Sequence, residues 1–248
     1  MGLHERTAPV TRMMTAVTLR TGIAILVMTG LSPVYAAGLQ APAPAPRSIQ
    51  ALPPTPTTGS ADEKLRAAAE PFEKLTETAF TGSRTALATT LAEALVTAQS
   101  VHALLPEQSV KRFGDEIDAL KAASQNHRRA AIALSSIEVY RTLVIAVADG
   151  AKVPAGLSLL DCAGYRYQAD LKSSPRQWSD MADAADFARQ TWTALTPKVS
   201  SPALEAKVAG TISAMEQAAC RKNASAAAKA AQTELDLVDD LEKLFASR

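Results

Sequence analysis

Apolar side chains recur every three or four residues along most of the chain from residue 60 onward, which is the spacing of one face of an α-helix. Runs of this kind, separated by glycine, proline, serine and asparagine, predict about eight helices of roughly 15–20 residues each. A sheet would require more β-branched and aromatic residues than a chain with 4% aromatics provides. The pattern therefore predicts an all-α protein.

Short turns near residues 82, 125, 173 and 222 divide these helices into four pairs. Helices joined by short loops pack as antiparallel neighbours, so we expect a bundle of about eight antiparallel helices arranged as four helical hairpins. The turns recur about every 43–49 residues, which is also the range of helical-pair repeats, and a solenoid of stacked hairpins is the alternative. We favour the bundle because the four units share no consensus sequence.

Serine and proline mark where several helices begin. Ser158, followed three residues later by Asp161, has the form of a capping box, in which each side chain bonds a backbone amide of the first turn. The pairs Ser174-Pro175 and Ser201-Pro202 place a capping hydroxyl before a proline, whose fixed φ suits the first turn. These signals predict the starts of the fifth, sixth and seventh helices.

The first 36 residues have the three parts of a secretory signal peptide. An arginine-bearing segment ends at Arg20, an apolar core follows at residues 22–31, and small residues precede a cleavage point after Ala36. The alternative is an uncleaved membrane anchor, but the apolar core has about ten residues and a span needs about 20. We expect a periplasmic or secreted protein with no transmembrane segment after cleavage.

Two regions follow this leader. Residues 37–59 are rich in Pro, Ala and Thr, which predicts a disordered linker of extended, polyproline-like backbone. Residues 60–248 are the predicted all-helical domain, which is long enough to consist of two four-helix halves at residues 60–148 and 156–248.

Charge and motifs argue against several classes of function. The formal net charge is +1 and there is no run of Lys or Arg, so we expect no binding to nucleic acid or to anionic membranes. The chain lacks the zinc-binding motif of metalloproteases and the phosphate-binding loop of nucleotide-binding proteins. It also lacks the nucleophile elbow of hydrolases and the motif for covalent attachment of haem. We therefore expect a protein that is not an enzyme.

Glu138 and Arg141 are the only charged residues of the stretch 130–147 in the fourth helix. A helix that is apolar nearly all round is a buried one, and residues three apart share a helix face. We expect these two side chains to pair. Burying such a pair removes both charges from water, and their mutual attraction barely offsets the lost hydration free energy. The pair is therefore a candidate for a functional site. The alternative is a self-contained ion pair at the edge of the core.

Aromatic residues concentrate between residues 140 and 192, where they are placed to line a charged pocket between the fourth, fifth and sixth helices. The candidate ligand-binding residues are Glu138, Tyr140, Arg141, Asp161, Tyr165 and Trp178. The alternative is that the aromatics form the larger half of the core and that Asp161 only caps its helix. Asp236 and Asp239, which lie roughly 140–160° from Leu241 in helical projection, are predicted to form a solvated face.

Metal or haem binding is the second hypothesis. The helical part has only two histidines, so a metal site would combine His102 with carboxylates, of which Glu138 and Asp161 are the candidates. A non-covalent haem would need His102 together with Met181 or Met215 as axial ligands. Methionine on an apolar stripe is more often core, and we expect no cofactor.

The sequence gives opposing indications about a disulfide between the two cysteines. An oxidising compartment favours a bond between Cys162 and Cys220. Helix spacing argues against it, because an up-down bundle would separate the two thiols by roughly 15–20 Å along the helix axes.

Taken together, the sequence predicts an exported, non-enzymatic helical bundle of the cell envelope that binds a partner protein or a small ligand. The alternative is a metal- or haem-binding helical bundle of the same compartment.

Overall fold

The computed structural model describes residues 60–147 and 153–247, and every regular element within these ranges is a helix, which confirms the all-α class. The predicted signal peptide (residues 1–36) and linker (residues 37–59) lie outside the described residues. The α-helices are α1 Ser60–Thr81, α2 Arg84–Val101, α3 Glu107–Gln125, α4 Arg129–Ala146, α5 Ala155–Lys172, α6 Trp178–Leu195, α7 Pro202–Cys220 and α8 Ala224–Ala246. Short 3₁₀ turns follow α2 at His102–Leu104 and α6 at Thr196–Lys198.

The contacts between helices fall into two groups that meet at α4 and α5. In the first group α1 packs on α2 and α4, and α3 packs on α4. In the second, α5 packs on α6 and α8, while α7 lies against both α6 and α8. The contact between α4 and α5 joins the two groups.

The helix α4 is buried along almost its whole length, as its apolar sequence predicted. From Ile137 to Val144 every side chain is buried, including those of Glu138 and Arg141. This helix is buried because it packs on α1, α3 and α5 and so has neighbours on several sides. A helix in this position can keep a charged residue only if a partner of opposite charge is buried with it.

Side-chain caps begin three of the helices. Ser83, Ser201 and Asn223 accept hydrogen bonds from backbone amides in the first turns of α2, α7 and α8, at 3.1, 3.4 and 3.1 Å. Each cap satisfies one of the amides that has no partner within the helix. The predicted start of the seventh helix at Ser201-Pro202 is thereby confirmed.

Two other predicted starts are wrong. The helix α5 begins at Ala155, because the Leu157 amide donates to the Pro154 carbonyl at 3.0 Å and closes the first turn before Ser158 is reached. The helix α6 begins at Trp178, after Gln177, and not at Ser174. Asp161 therefore lies in the interior of α5 and does not cap it, which frees its carboxylate for another role.

A candidate binding cleft between α1, α5 and α8

Side chains from α1, α5 and α8 enclose an open cavity of about 450 Å³. Six carboxylates line it, whereas Lys172 is the one basic side chain among the described lining residues. We call this cavity the acidic cleft; its carboxylates are Glu73, Glu77, Asp161, Asp236, Asp239 and Glu242. Acidic side chains thus outnumber basic ones by six to one among the described residues that line the cleft.

A second, smaller cavity of about 170 Å³ adjoins the acidic cleft, and Glu73 and Glu242 line both. Residues of α1, α4 and α5 form its other walls, with Glu70 and Arg66 on α1 and Tyr140 on α4. We call it the side cavity. Together the two cavities follow α1 from Thr81 back to Arg66.

Asp161 forms the buried part of the cleft wall. Asp161 is 8% exposed. Among the described residues, none forms a hydrogen bond or an ion pair with its carboxyl group. Burial raises the pKa of Asp161 well above its ordinary value, and the charges of Glu73, Glu234 and Glu242 raise it further. An acid held in this way stabilises a cation that enters the cleft, because it gains a partner that the protein itself does not provide.

Glu234 places a second buried acid between α5 and α8, close to Asp161. The residue is 2% exposed, and neither carboxylate oxygen has a hydrogen-bond partner among the described residues. Its side chain lies where α5 has Gly164, since a Cβ at that position would overlap Glu234 Oε2. Burial raises the pKa of Glu234, so its carboxyl holds a proton at higher pH than an exposed glutamate does.

Glu73 titrates near neutral pH. Burial and the nearby charges of Glu242, Glu77, Glu70 and Asp239 raise its pKa from 4.5 to about 7. Burial and Asp239 also raise the pKa of Glu242. Burial is the largest cause of both pKa shifts, and repulsion from Glu242 and Asp239 of α8 adds to the shift of Glu73 on α1.

Two tyrosines add hydroxyl groups to the acidic walls. Tyr165 donates a hydrogen bond to Glu77 Oε1 at 2.7 Å and so holds that carboxylate against α5. Tyr140 and Ser158 both line the side cavity. Burial is the main reason that the pKa of both phenols lies above the ordinary value, and both therefore remain neutral.

An ammonium group already lies at the edge of the cleft. Lys172 Nζ is 4.0 Å from the centroid of the Phe80 ring, and both residues line the cleft. Contacts of this kind are attractive because the ring face is electronegative. Partial burial lowers the pKa of Lys172.

Of the six residues predicted to bind a ligand, the structure brings Asp161 and Tyr165 into the acidic cleft and Tyr140 into the side cavity. Glu138 and Arg141 lie elsewhere, in a buried ion cluster. Glu138 Oε2 accepts from Arg112 Nη2 at 2.8 Å and from Arg141 Nη2 at 2.7 Å. Its Oε1 accepts from Arg166 Nη1 at 2.7 Å. The predicted pair is real, and its partners include two further arginines.

Trp178 and the cysteines lie apart from the cleft. Trp178 lines a different cavity, between α6 and α7, together with Cys220. Both thiols are free: Cys162 is buried in α5, and Cys220 is exposed at the end of α7. Burial and the charge of Asp161 raise the pKa of the Cys162 thiol, which keeps it protonated and unreactive.

The residues proposed for metal or haem are dispersed. His102 is exposed and packs edge-on against Phe113, with ring centroids 6.3 Å apart. Met181 and Met215 are buried in a cluster of residues from α5 to α8. Within residues 60–147 and 153–247, no group of three or more His, Cys, Asp or Glu side chains is arranged to hold a metal ion.

Most of the cleft was not anticipated from the sequence. Asp236 and Asp239 were expected on a solvated face; they are exposed, yet they form a wall of the cleft because α8 faces α1 there. Glu73, Glu77 and Glu242 were not singled out. The available signal was spacing, because Glu73 and Glu77 are four residues apart and so share one helix face, as Asp239 and Glu242 do three apart.

Comparison with models of protein families, with curated proteins and with solved structures finds no match to this chain. None of the helices in the described part of the chain combines the length and the apolar character of a membrane span.

Proposed function

We propose that this protein is an exported, non-enzymatic helical-hairpin bundle that binds a small organic cation in the acidic cleft. The observation that carries the proposal is the carboxylate of Asp161, which is buried in the cleft wall and has no partner among the described residues. A cation bound beside Asp161 lowers the cost of ionising this acid, because it supplies the opposite charge that the described residues do not provide. The export part of the proposal rests on the leader in residues 1–36.

The size of the cleft favours an organic cation over a metal ion. A calcium ion needs six to eight oxygen ligands within about 2.6 Å, which requires carboxylates that converge on one point. The carboxylates of the cleft are spread around a cavity of about 450 Å³, and no three acidic side chains among the described residues converge in this way. An alkylammonium group instead takes single contacts from separate carboxylates, and its carbon chain packs on apolar wall residues such as Leu235 and Val238.

The proposal is tested by calorimetric titration of the purified protein with butane-1,4-diamine at pH 8 and low ionic strength. We expect one binding site per chain, with Asp161→Asn weakening the affinity at least tenfold because a charged hydrogen bond contributes about 1.5–3 kcal/mol. The matched control is Asp115→Asn, since Asp115 is an exposed acid on α3 that pairs with the exposed Lys111 and does not line the cleft.

Three results would contradict the proposal: no binding of the diamine, equal affinities for Asp161→Asn and the unchanged protein, or Asp161-dependent binding of Mg²⁺ in place of the diamine.

Export has its own test. The protein expressed with its leader should be recovered from the periplasm or medium, with Ala37 as its first residue, and recovery of the uncleaved chain from the cytoplasm would contradict export.

A further inference from the structure

Two rows of carboxylates run along the facing helices of the cleft. On α1, Glu70, Glu73 and Glu77 line the cavities in sequence order; on α8, Asp236, Asp239 and Glu242 do so. A rise of 1.5 Å per residue spaces neighbouring members of each row about 4.5–6 Å apart along the helix axis. The cleft therefore presents negative charge at regular intervals along a line.

The two rows run in opposite directions along one trough. Glu77 and Asp236 line only the acidic cleft, Glu70 lines only the side cavity, and Glu73 and Glu242 lie at the junction and line both. The two cavities therefore lie end to end. The part of α1 that borders them, from Arg66 to Thr81, is about 22 Å long, which makes the trough much longer than a single ammonium group.

We infer that the ligand is a linear polyamine, a chain of three or more ammonium groups separated by three or four methylenes, which lies lengthwise in this trough. Standard bond lengths place successive nitrogens of such a chain about 5–6 Å apart, which matches the spacing of the carboxylate rows. The inference rests on the proposed function, since it specifies the cation that the cleft binds.

The distribution of charge supports a ligand with several positive charges. The described basic side chains of the trough are Lys172, which lies over Phe80, and Arg66. Seven acidic residues line the same trough, with Asp161 as the buried one. A monoamine leaves most of the repulsion between these carboxylates in place, whereas a triamine or tetraamine offsets that repulsion along the whole length of the trough.

The walls between the carboxylates suit the methylene segments of such a chain. Leu235 and Val238 of α8 line the acidic cleft, and Val144, Val147 and Ala155 line the side cavity. Both cavities therefore have apolar as well as acidic lining residues, as a polyamine has methylenes as well as nitrogens.

The test is calorimetric titration of the whole protein with butylamine, butane-1,4-diamine, spermidine and 1,8-diaminooctane at pH 8. Spermidine and 1,8-diaminooctane have similar lengths, but only spermidine has a central ammonium group. We expect spermidine to bind at least tenfold more tightly than 1,8-diaminooctane and at least tenfold more tightly than butane-1,4-diamine. Equal affinities for spermidine and 1,8-diaminooctane would overturn the inference.

Glu242→Gln at the junction provides the second arm. Because Glu242 is exposed, the variant is expected to fold, and its circular dichroism spectrum checks this. Spermidine affinity should fall at least fivefold, and Asp115→Asn should leave it unchanged. Binding of the diamine with no gain for spermidine overturns the polyamine inference but leaves the proposed function in place, whereas failure of all four amines to bind overturns both.

Discussion

Glu138 accepts hydrogen bonds from three guanidinium groups in the interior of the molecule, and it connects α3, α4 and α5. The cluster lies at the junction of the two groups of helices, because Arg112 belongs to the first group and Arg166 to the second. Guanidinium is suited to this position, since it remains charged when buried and its several donors reach one carboxylate from different helices.

Glu138→Gln should destabilise the protein by about 3–5 kcal/mol, because it leaves buried arginines facing a neutral amide. Urea denaturation followed by circular dichroism measures the free energy of unfolding. The control is Asp118→Asn, which removes the acid of an exposed pair with Lys121 and should change that free energy by less than about 0.5 kcal/mol. A loss below 1 kcal/mol for Glu138→Gln would show that the cluster is structurally dispensable.

Asp170 is a buried acid whose protonation links stability to pH. The residue is 1% exposed, and burial raises its pKa from 3.8 to about 8, although Arg166 acts in the opposite direction. Asp180, Glu138 and Asp183 also raise it. Between about pH 4 and pH 8 the folded protein keeps a proton on this carboxyl that the unfolded chain releases, so this residue's contribution to stability decreases as pH rises through that window.

Asp170→Asn should therefore increase the free energy of unfolding at pH 9, by on the order of 2 kcal/mol, and should have little effect at pH 4. Urea denaturation at both pH values measures the difference between the variant and the unchanged protein, which isolates Asp170 from the other buried acids. A variant that is less stable at pH 9 would show that the ionised carboxylate stabilises Arg166.

At the scale of the helices, the approach of α5 to α8 depends on Gly164. A side chain at this position meets Glu234 Oε2 and Leu235 Cδ2, both of which lie closer than van der Waals contact allows. Glu234 is fully buried, so its carboxyl has little room to move away. The glycine thus lets α5 and α8, which both line the cleft, approach each other closely.

Gly164→Ala should destabilise the protein by about 1–3 kcal/mol through overpacking of this contact. Gly210→Ala is the matched control, because Gly210 also lies in a helix and a Cβ there meets nothing within 4 Å. The control should stabilise the protein by about 0.5–1 kcal/mol, since alanine is the better helix former. Thermal denaturation of both variants distinguishes the two effects, and equal melting temperatures would show that α8 yields to the extra methyl group.

The prediction of elements from the sequence succeeded where the hydrophobic period is long and failed where local signals compete. The buried helix α4 was predicted from its continuous apolar run, because burial on all sides leaves no polar face. The start of α5 was misplaced, because the motif at Ser158 and Asp161 resembles a cap while backbone hydrogen bonds from Pro154 begin the helix earlier. Asp161, for which capping was the alternative role, lies instead in the wall of the cleft.

At the scale of the whole molecule, the charge of the trough changes near neutral pH. Glu73 has a pKa of about 7, and Glu70, Glu77, Asp239 and Glu242 face it from α1 and α8. A bound cation favours the ionised form of Glu73 and therefore lowers its pKa. On the proposed function, binding of a cation is accompanied by release of a proton at pH values around 7.

The affinity for butane-1,4-diamine should decrease about tenfold between pH 8 and pH 6, as Glu73 becomes protonated in the free protein. Titrations in buffers of different ionisation enthalpy measure the released proton at pH 7. Glu73→Gln should bind more weakly at pH 8 and lose most of the dependence on pH in this window. An equally steep dependence in that variant would assign the titration to another acid of the cleft.

The sequence by itself determined the elements of this protein: the all-α class, the buried α4 and the Glu138–Arg141 pair follow from periodicity and from spacing along one helix. The acidic cleft required the tertiary structure. Its acids come from residues 73 to 242 along the chain, and Asp236 and Asp239 belong to a solvated face in any helical projection. A face of one helix becomes the wall of a site only when another helix lies opposite it, and packing between distant segments decides that.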